Sequence, residues 1–107
     1  MNLLKQKCVP CEGGMPPLTQ EQAVKHLEQI PSWKLVLNTL EKKFTFKNFK
    51  EAMVFINIVA DIAENEGHHP DIFISYNKIT LTLTTHAIKG LSVNDFIVAA
   101  KINALEK

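Results

Sequence analysis

Residues 64–95 read ENEGHHPDIFISYNKITLTLTTHAIKGLSVND, and this stretch carries both the clearest strand pattern of the chain and three of its four histidines. Along residues 79–84, aliphatic side chains alternate with threonines, as in a strand that buries one face and leaves the other open. An apolar run, residues 72–76, precedes it, and a short turn at residues 77–78 separates the two. The two runs therefore predict a β-hairpin.

A second hairpin is predicted nearer the N-terminus. Residues 33–37 alternate apolar and polar side chains, residues 40–46 do so again, and residues 38–39 suit a turn between them. Trp33 opens the first of these strands, and its ring could serve as a stacking platform for a flat ligand. A single tryptophan in this position is more often part of the core, and we interpret Trp33 in that way.

The first and last helices are short and have recognisable starting points. Thr19 and Gln22 have the spacing of a capping box, so the first helix is expected to begin there and to end at Pro31. His26 lies on this helix, outside the histidine-rich stretch, and we expect it on the helix surface. Ser92 is expected to cap the last helix.

The second helix, residues 49–66, is predicted to begin after Asn48 and to end at Gly67, which suits the left-handed position that closes a helix. Its apolar residues recur every three or four positions and form one broad buried stripe. Further apolar residues, among them Val54 and Ile58, widen the apolar surface beyond what one sheet face needs. This excess indicates either a fully packed helix or a subunit interface.

The predicted order is helix, strand, strand, helix, strand, strand, helix. Two hairpins joined by a helix predict an α+β fold, in which a four-stranded antiparallel sheet has three helices packed on one face. The opposite face, which carries the threonines of residues 79–84, is expected to be open to solvent or to a partner.

The bulk composition limits the organisation and the partners of the chain. Its 107 residues suit one domain, which we assign to residues 18–107, after an extended N-terminal arm at residues 1–17. A net charge of +1 gives no electrostatic footprint for nucleic acid, and no apolar run is long enough to cross a membrane. The N-terminus lacks the apolar core of a secretory signal, so we expect a cytoplasmic protein.

The arm contains the two cysteines, Cys8 and Cys11, in the sequence CVPC. Such a pair could be half of a zinc site, a redox pair or two plain thiols. A structural zinc site needs a second pair of ligands, and a redox motif is expected between a strand and a helix rather than before GG and PP. We therefore interpret Cys8 and Cys11 as ordinary thiols.

The hairpin of residues 72–84 is expected to bring three histidines together. His68 and His69 precede its first strand, and His86 follows its second strand, so antiparallel pairing returns His86 to within reach of the other two. Imidazole titrates near neutral pH, which makes such a cluster suited to proton transfer.

Other interpretations of these residues stay open. The His68-His69-Pro70 sequence could be a solvent-exposed turn, or the histidines could hold zinc, although adjacent residues of an extended segment point to opposite sides and rarely chelate one ion. Glu64 lies one helical turn before His68 and could orient an imidazole or be solvated. Asp95 forms a capping box with Ser92 and could also serve the site.

The polar and aromatic residues of this stretch stand at the spacings Glu64-x3-His68-His69-Pro70-x5-Tyr76-x9-His86-x8-Asp95. This pattern closely resembles the signature of the pterin-4a-carbinolamine dehydratases, and the resemblance extends over residues 18–105. The CVPCEGG arm is similar to the N-terminus of many bacterial and plant members.

The resemblance implies a lyase that dehydrates 4a-hydroxytetrahydropterin to quinonoid dihydropterin, without a metal or another cofactor, in tetrahydropterin recycling for aromatic amino acid hydroxylases. By position, His68 and His86 are implied as proton-transfer residues, and His69 as a catalytic residue that also binds and orients the substrate. Four further residues are implied to bind substrate or support the pocket: Glu64, Pro70, Thr85 and Asp95.

The family further implies a homodimer or homotetramer with no nucleic acid or membrane partner and a functional link to an aromatic amino acid hydroxylase. Animal members also act as dimerisation cofactors of a homeodomain transcription factor, so the alternative function is a non-catalytic interaction module on the same scaffold. Two positions depart from animal members: Asn94 stands where they carry arginine, and Gly67 where they carry an acidic residue.

Overall fold

The computed structural model describes Leu3 and residues 17–106, and it has the predicted α+β fold. The predicted order of helices and strands is confirmed. Two short 3-10 helices, His86–Ile88 and Ala104–Glu106, are added to it. The helices and strands are α1 (Gln20–Leu27), β1 (Lys34–Val36), β2 (Thr39–Thr45), α2 (Phe49–Glu66), β3 (Asp71–Ser75), β4 (Lys78–Leu83) and α3 (Val93–Asn103).

The four strands form one antiparallel sheet in the order β1-β2-β4-β3. Leu40 of β2 lies opposite Leu83 of β4, so the aliphatic side chains of neighbouring strands share one face. Along β2 and β4 that face is buried in the core together with α2 and α3, whereas the edge strand β3 is exposed along its length. The threonines of β4 on the other face are only partly covered. Period-two alternation thus separates the core from the open face, as expected.

Both hairpin turns lie one residue earlier than predicted. The turn residues are Leu37 and Asn38 in the first hairpin and Tyr76 and Asn77 in the second. Leu37 and Tyr76 have φ values of 54° and 55°, in a region that non-glycine residues seldom adopt. Leucine and tyrosine are therefore not the residue types that indicate a turn, and the sequence did not place the turns there. The alternation predicted for residues 33–37 would place Leu37 on the same side as Trp33 and Leu35, and this is wrong, since Leu37 lies in the turn and is 90% exposed.

Helix α1 begins as predicted but ends earlier. Thr19 Oγ1 accepts from the Gln22 backbone N–H at 3.2 Å, and Gln22 Oε1 accepts from the Thr19 N–H at 2.9 Å, which confirms the capping box. The helix ends at Leu27, and the chain turns before Pro31. Ile30 is nevertheless fully buried, so it reaches the core from a turn rather than from the helix.

Helix α2 has the predicted bounds, and its N-terminus is capped by Asn48 Oδ1, which accepts from the Glu51 N–H at 2.9 Å. The interpretation of a fully packed helix is wrong for the single chain, because Phe49, Val54 and Ile58 stay largely exposed. The buried residues of the helix are Ala52, Phe55, Ile56, Val59 and Ala63. The helix therefore covers the sheet with one stripe and leaves Val54 and Ile58, one turn apart on its opposite side, exposed.

Trp33 lies in the core, as interpreted, with 4% of its surface exposed. Its indole N–H donates to Asn103 Oδ1 at 2.9 Å, and the buried Lys42 donates to the same oxygen at 2.9 Å. Asn103 Nδ2 in turn donates to the Pro31 carbonyl at 3.0 Å. One amide at the end of α3 thus satisfies the polar groups that this part of the core buries.

Leu3 is the one described residue of the predicted arm before residue 17. It is packed in the core, and its backbone N–H donates to Gln29 Oε1 at 3.3 Å. Cys8 and Cys11 lie outside the described residues, and the division into an arm and a domain stays a prediction. Among the helices of residues 17–106, none combines the length and the apolar character needed to cross a membrane.

The end of α2 is a Schellman motif that fixes the start of the histidine pair. Gly67 has φ 65° and ψ 26°, which is the predicted left-handed conformation. Its N–H donates to the Glu64 carbonyl at 3.3 Å, and the His68 N–H donates to the Ala63 carbonyl at 3.2 Å. The backbone of His68 is therefore tied to the last turn of the helix.

Replacing Gly67 with alanine is expected to destabilise the fold by about 1–2 kcal/mol, because a side chain with a Cβ disfavours the left-handed conformation. Apart from the two chain neighbours of Gly67, no described residue has an atom within 4 Å of the position that this Cβ would occupy, so the cost is conformational and not a clash. In thermal unfolding, we expect the midpoint temperature to fall by roughly 4–8 °C for each kcal/mol of unfolding free energy that is lost. Gly67→Asn is the matched control, since asparagine adopts this conformation more readily. Equal midpoints for Gly67→Ala and the original chain would contradict the assignment.

Candidate functional site

The β3–β4 pairing brings the chain after β4 back toward the histidine pair. Asp71 lies opposite Thr82 at the end of the ladder. Continuing that antiparallel register carries one strand back to His68 and the other forward to Thr85. Side-chain contacts agree, because a single carboxylate, that of Asp95, joins His68 to Thr85. The Asp95 carboxylate is therefore the physical link between the end of the hairpin and His68.

Asp95 is fully buried and lies at the centre of this group. Its Oδ2 accepts from the Ser92 backbone N–H at 2.9 Å and from the Thr85 hydroxyl at 2.8 Å. Its Oδ1 lies 2.5 Å from His68 Nε2. The same carboxylate thus closes the capping box of α3, holds the chain beyond β4 and contacts the imidazole.

The hydroxyls beside Asp95 form a directed chain. Thr85 Oγ1 lies 2.8 Å from Ser92 Oγ, and both are buried. Since the one hydroxyl proton of Thr85 goes to Asp95, the Ser92 hydroxyl must donate to Thr85. The carboxylate is therefore surrounded by donors, which is what makes a buried negative charge tolerable.

His68 is held by this carboxylate in a defined tautomer. A carboxylate oxygen only accepts, so Nε2 of His68 carries the proton that lies between the two groups. When the ring is neutral, Nδ1 then has the lone pair and can accept a proton. The side chain is 13% exposed, so the ring is held largely inside the protein and still reaches the surface.

His69 contacts a different carboxylate. Its Nε2 lies 2.5 Å from Glu64 Oε2, and the two side chains are 58% and 77% exposed. Exposed ion pairs of this kind contribute little to stability, so the contact orients the ring more than it holds the fold. The rings of His68 and His69 thus turn to different partners. Within Leu3 and residues 17–106, no three His, Cys, Asp or Glu side chains are grouped to hold one ion.

His86 begins a 3-10 helix beyond β4 and is exposed. It follows Thr85 directly, so the peptide bond between them ties it to the residue that contacts Asp95. Hydrogen bonds therefore join Glu64 to His69, and His68 through Asp95 to Thr85, whereas His86 belongs to this group by chain connectivity. Pro70 lies half-buried between His69 and β3.

His26, the fourth histidine, lies apart from this group on α1, in contact with Phe96 of α3 at 5.3 Å between ring centroids. Burial, with the neighbouring Lys25 charge, lowers the pKa of His26 below its ordinary value. The expectation of a simple surface residue is therefore incomplete, since the ring is partly covered.

Sequence reasoning missed a direct link between α2 and α3. Lys101 Nζ donates to Glu66 Oε2 at 2.9 Å, and the Glu66 side chain is only 5% exposed. This pair ties the helix end that carries the histidine pair to the helix that carries Asp95. No local pattern marks it, because the two residues lie 35 positions apart. The Ser92–Thr85 hydroxyl contact was missed for the same kind of reason.

Comparison with known proteins shows which family the chain resembles. The family model described as pterin 4 alpha carbinolamine dehydratase matches residues 16–105. A relative from Nitrosospira multiformis is 50% identical over 104 residues, which cover 97% of this chain and 92% of that protein. One from Alkaliphilus metalliredigens is 45% identical over 104 residues, which cover 95% and 94%. Both are named, provisionally, as pterin-4-alpha-carbinolamine dehydratases.

Solved structures share the fold. A transcriptional coactivator/pterin dehydratase from Brucella melitensis has a TM-score of 0.80 and 32% identity, covering 85% of this chain and 99% of that one. A pterin dehydratase-like protein, described as a RuBisCO assembly factor in the alpha-carboxysome, has a TM-score of 0.60 and 25% identity, covering 72% and 92%. Because the family model and the relatives match almost the full length, the chain belongs to the pterin-4-alpha-carbinolamine dehydratase family.

Proposed function

We propose that this chain dehydrates 4a-hydroxytetrahydropterin to quinonoid dihydropterin by histidine acid–base catalysis. Membership of the family supports the reaction class. The observation that carries the proposal is the 2.5 Å contact between His68 and the fully buried Asp95. A carboxylate that fixes the tautomer of a partly exposed imidazole is what a general acid or base needs.

The reaction removes water across one bond of the pterin ring system. The C4a–O bond breaks, the N5 proton is lost, and a double bond forms between C4a and N5. The leaving hydroxyl needs an acid and N5 needs a base, so two proton-transfer groups are required. His68 and His86 are proposed for these two roles, with Asp95 holding the first ring through Nε2 and leaving Nδ1 for the substrate.

The remaining residues of the group are proposed to bind and orient the pterin. His69, turned toward Glu64, is proposed as a catalytic residue that orients the substrate at the exposed side. Thr85 and Pro70 are proposed to line or support the pocket. None of these roles requires a metal or another cofactor, because the chemistry is proton transfer at both ends.

We place this reaction in the cytoplasm, in the recycling of tetrahydropterin for an aromatic amino acid hydroxylase. The net charge of +1 supports a small-molecule substrate rather than nucleic acid. We also propose a homodimer or homotetramer, supported by the exposed apolar residues Phe49, Val54 and Ile58 on α2. A monomeric mass in sedimentation at micromolar concentration would contradict the oligomer.

The alternative function is a non-catalytic interaction module on the same scaffold. The similar protein described as a RuBisCO assembly factor favours it, since the role named for that protein is assembly. The contact of His68 with a buried carboxylate favours the enzyme, because an interaction module gains nothing from a fixed imidazole tautomer. An inert purified protein that recovers a macromolecular partner from its own cells would support the module.

His68→Ala and His86→Ala are each expected to lower kcat for carbinolamine dehydration by about 10²–10⁴-fold, the usual contribution of a general acid or base. His26→Ala is the matched control, since His26 contacts Phe96 and lies outside the group. The rate is measured by the absorbance change when the carbinolamine is generated in situ. Wild-type turnover in both His68→Ala and His86→Ala would end the proposal.

Asp95→Asn is expected to lower kcat by about 10²-fold or more while the protein stays folded. The amide has one accepting oxygen, which Ser92 and Thr85 require, so its NH2 group would face His68 Nε2 and shift the ring proton to Nδ1. Asp61→Asn, on the exposed side of α2, controls for the loss of a charge. Unchanged kcat in Asp95→Asn would show that the tautomer of His68 does not matter.

A further inference from the structure

The segment that carries His86 is a small closed loop. In this His86 loop, defined as residues 85–90, the Thr85 N–H donates to the Gly90 carbonyl at 2.9 Å. The Gly90 N–H donates back to the Thr85 carbonyl at 3.4 Å, so the two ends form an antiparallel bridge. The position of His86 therefore depends on where this bridge sits.

A second segment of the chain lies against the closed end of the loop. The Leu18 N–H donates to the Leu91 carbonyl at 2.8 Å. A Cβ placed on Gly90 would lie 2.6 Å from Pro17 Cβ and 3.3 Å from Pro17 Cγ. We call residues 17–18 the clasp, because they lie directly over Gly90.

Position 90 needs glycine because a Cβ has no room there, and not because its backbone conformation excludes other residues. Among the glycines of residues 17–106, only Gly67 has a positive φ. The backbone of Gly90 would therefore accept alanine, and only the contact with Pro17 forbids it. A carbon–carbon approach of 2.6 Å is well inside the optimal separation of about 3.5–4.0 Å, so one segment would have to move.

We propose that Gly90 and the clasp are positioning elements of the active site, which hold the His86 loop through close contact between the segment before α1 and the loop. The proposal rests on the function proposed above, in which His86 transfers a proton. A shift at Gly90 passes through the bridge to Thr85, whose hydroxyl contacts Asp95, and along the loop to His86. Both proton-transfer residues are thus sensitive to one contact outside the site.

The test is a Gly90→Ala variant combined with two changes at Pro17. Gly90→Ala is expected to lower kcat by about tenfold or more with a smaller change in KM, since displacement of about 1 Å can cost up to 10²-fold in rate. Adding Pro17→Gly removes the opposing Cβ and is expected to restore a large part of the loss. Adding Pro17→Ala keeps that Cβ and is expected not to restore it.

A readout besides activity separates this proposal from the proposed function. In spectra of the histidine rings, Gly90→Ala is expected to shift the His86 resonances, and Gly90→Ala with Pro17→Gly to bring them back toward the original positions, with His26 as the internal reference. If the original chain is inactive, the proposed function fails, while the ring spectra still test the contact. An unshifted His86 with unchanged kcat in Gly90→Ala, or equal rescue by Pro17→Ala and Pro17→Gly, would overturn the proposal.

Discussion

The carboxylate of Asp95 is fully buried, and it lies where the start of α3, the chain beyond β4 and the His68 ring meet. An ionised group inside a protein is costly unless donors surround it, and here Ser92, Thr85 and His68 all turn toward its oxygens. The Asp95 carboxylate therefore closes the capping box of α3, holds the chain beyond β4 and orients the His68 ring. Because the same carboxylate holds the start of α3 and contacts His68, the position of the His68 ring depends on the start of that helix.

The helix α2 supplies the other half of the geometry. Its left-handed end at Gly67 ties the backbone of His68 to the last turn, and the buried Glu66 binds Lys101 of α3. The ion pair links α2 directly to α3, and the contact of His68 with Asp95 links the segment just after α2 to α3. The pair is only partly exposed, so water screens it less than a pair on the open surface.

Much of the fold could be predicted because its signals are local. Alternation marked β4, and capping residues marked the ends of α2 and the start of α3, including the possibility that Asp95 serves both the helix and the site. The turns at Leu37 and Tyr76 were misplaced, since neither residue type favours a positive φ. Contacts such as Glu66–Lys101 and Pro17–Gly90 join distant positions and depend on how the elements pack, which no spacing in the sequence records.

Whether Asp95 fixes the His68 ring is tested by the tautomer of the histidine rings in the free protein, read from long-range proton–nitrogen NMR at a pH where the rings are neutral. With Asp95 accepting from His68, we expect the proton of neutral His68 on Nε2 and the lone pair on Nδ1. A His68 ring protonated on Nδ1, or an equal mixture of the two forms as in free imidazole, would contradict it.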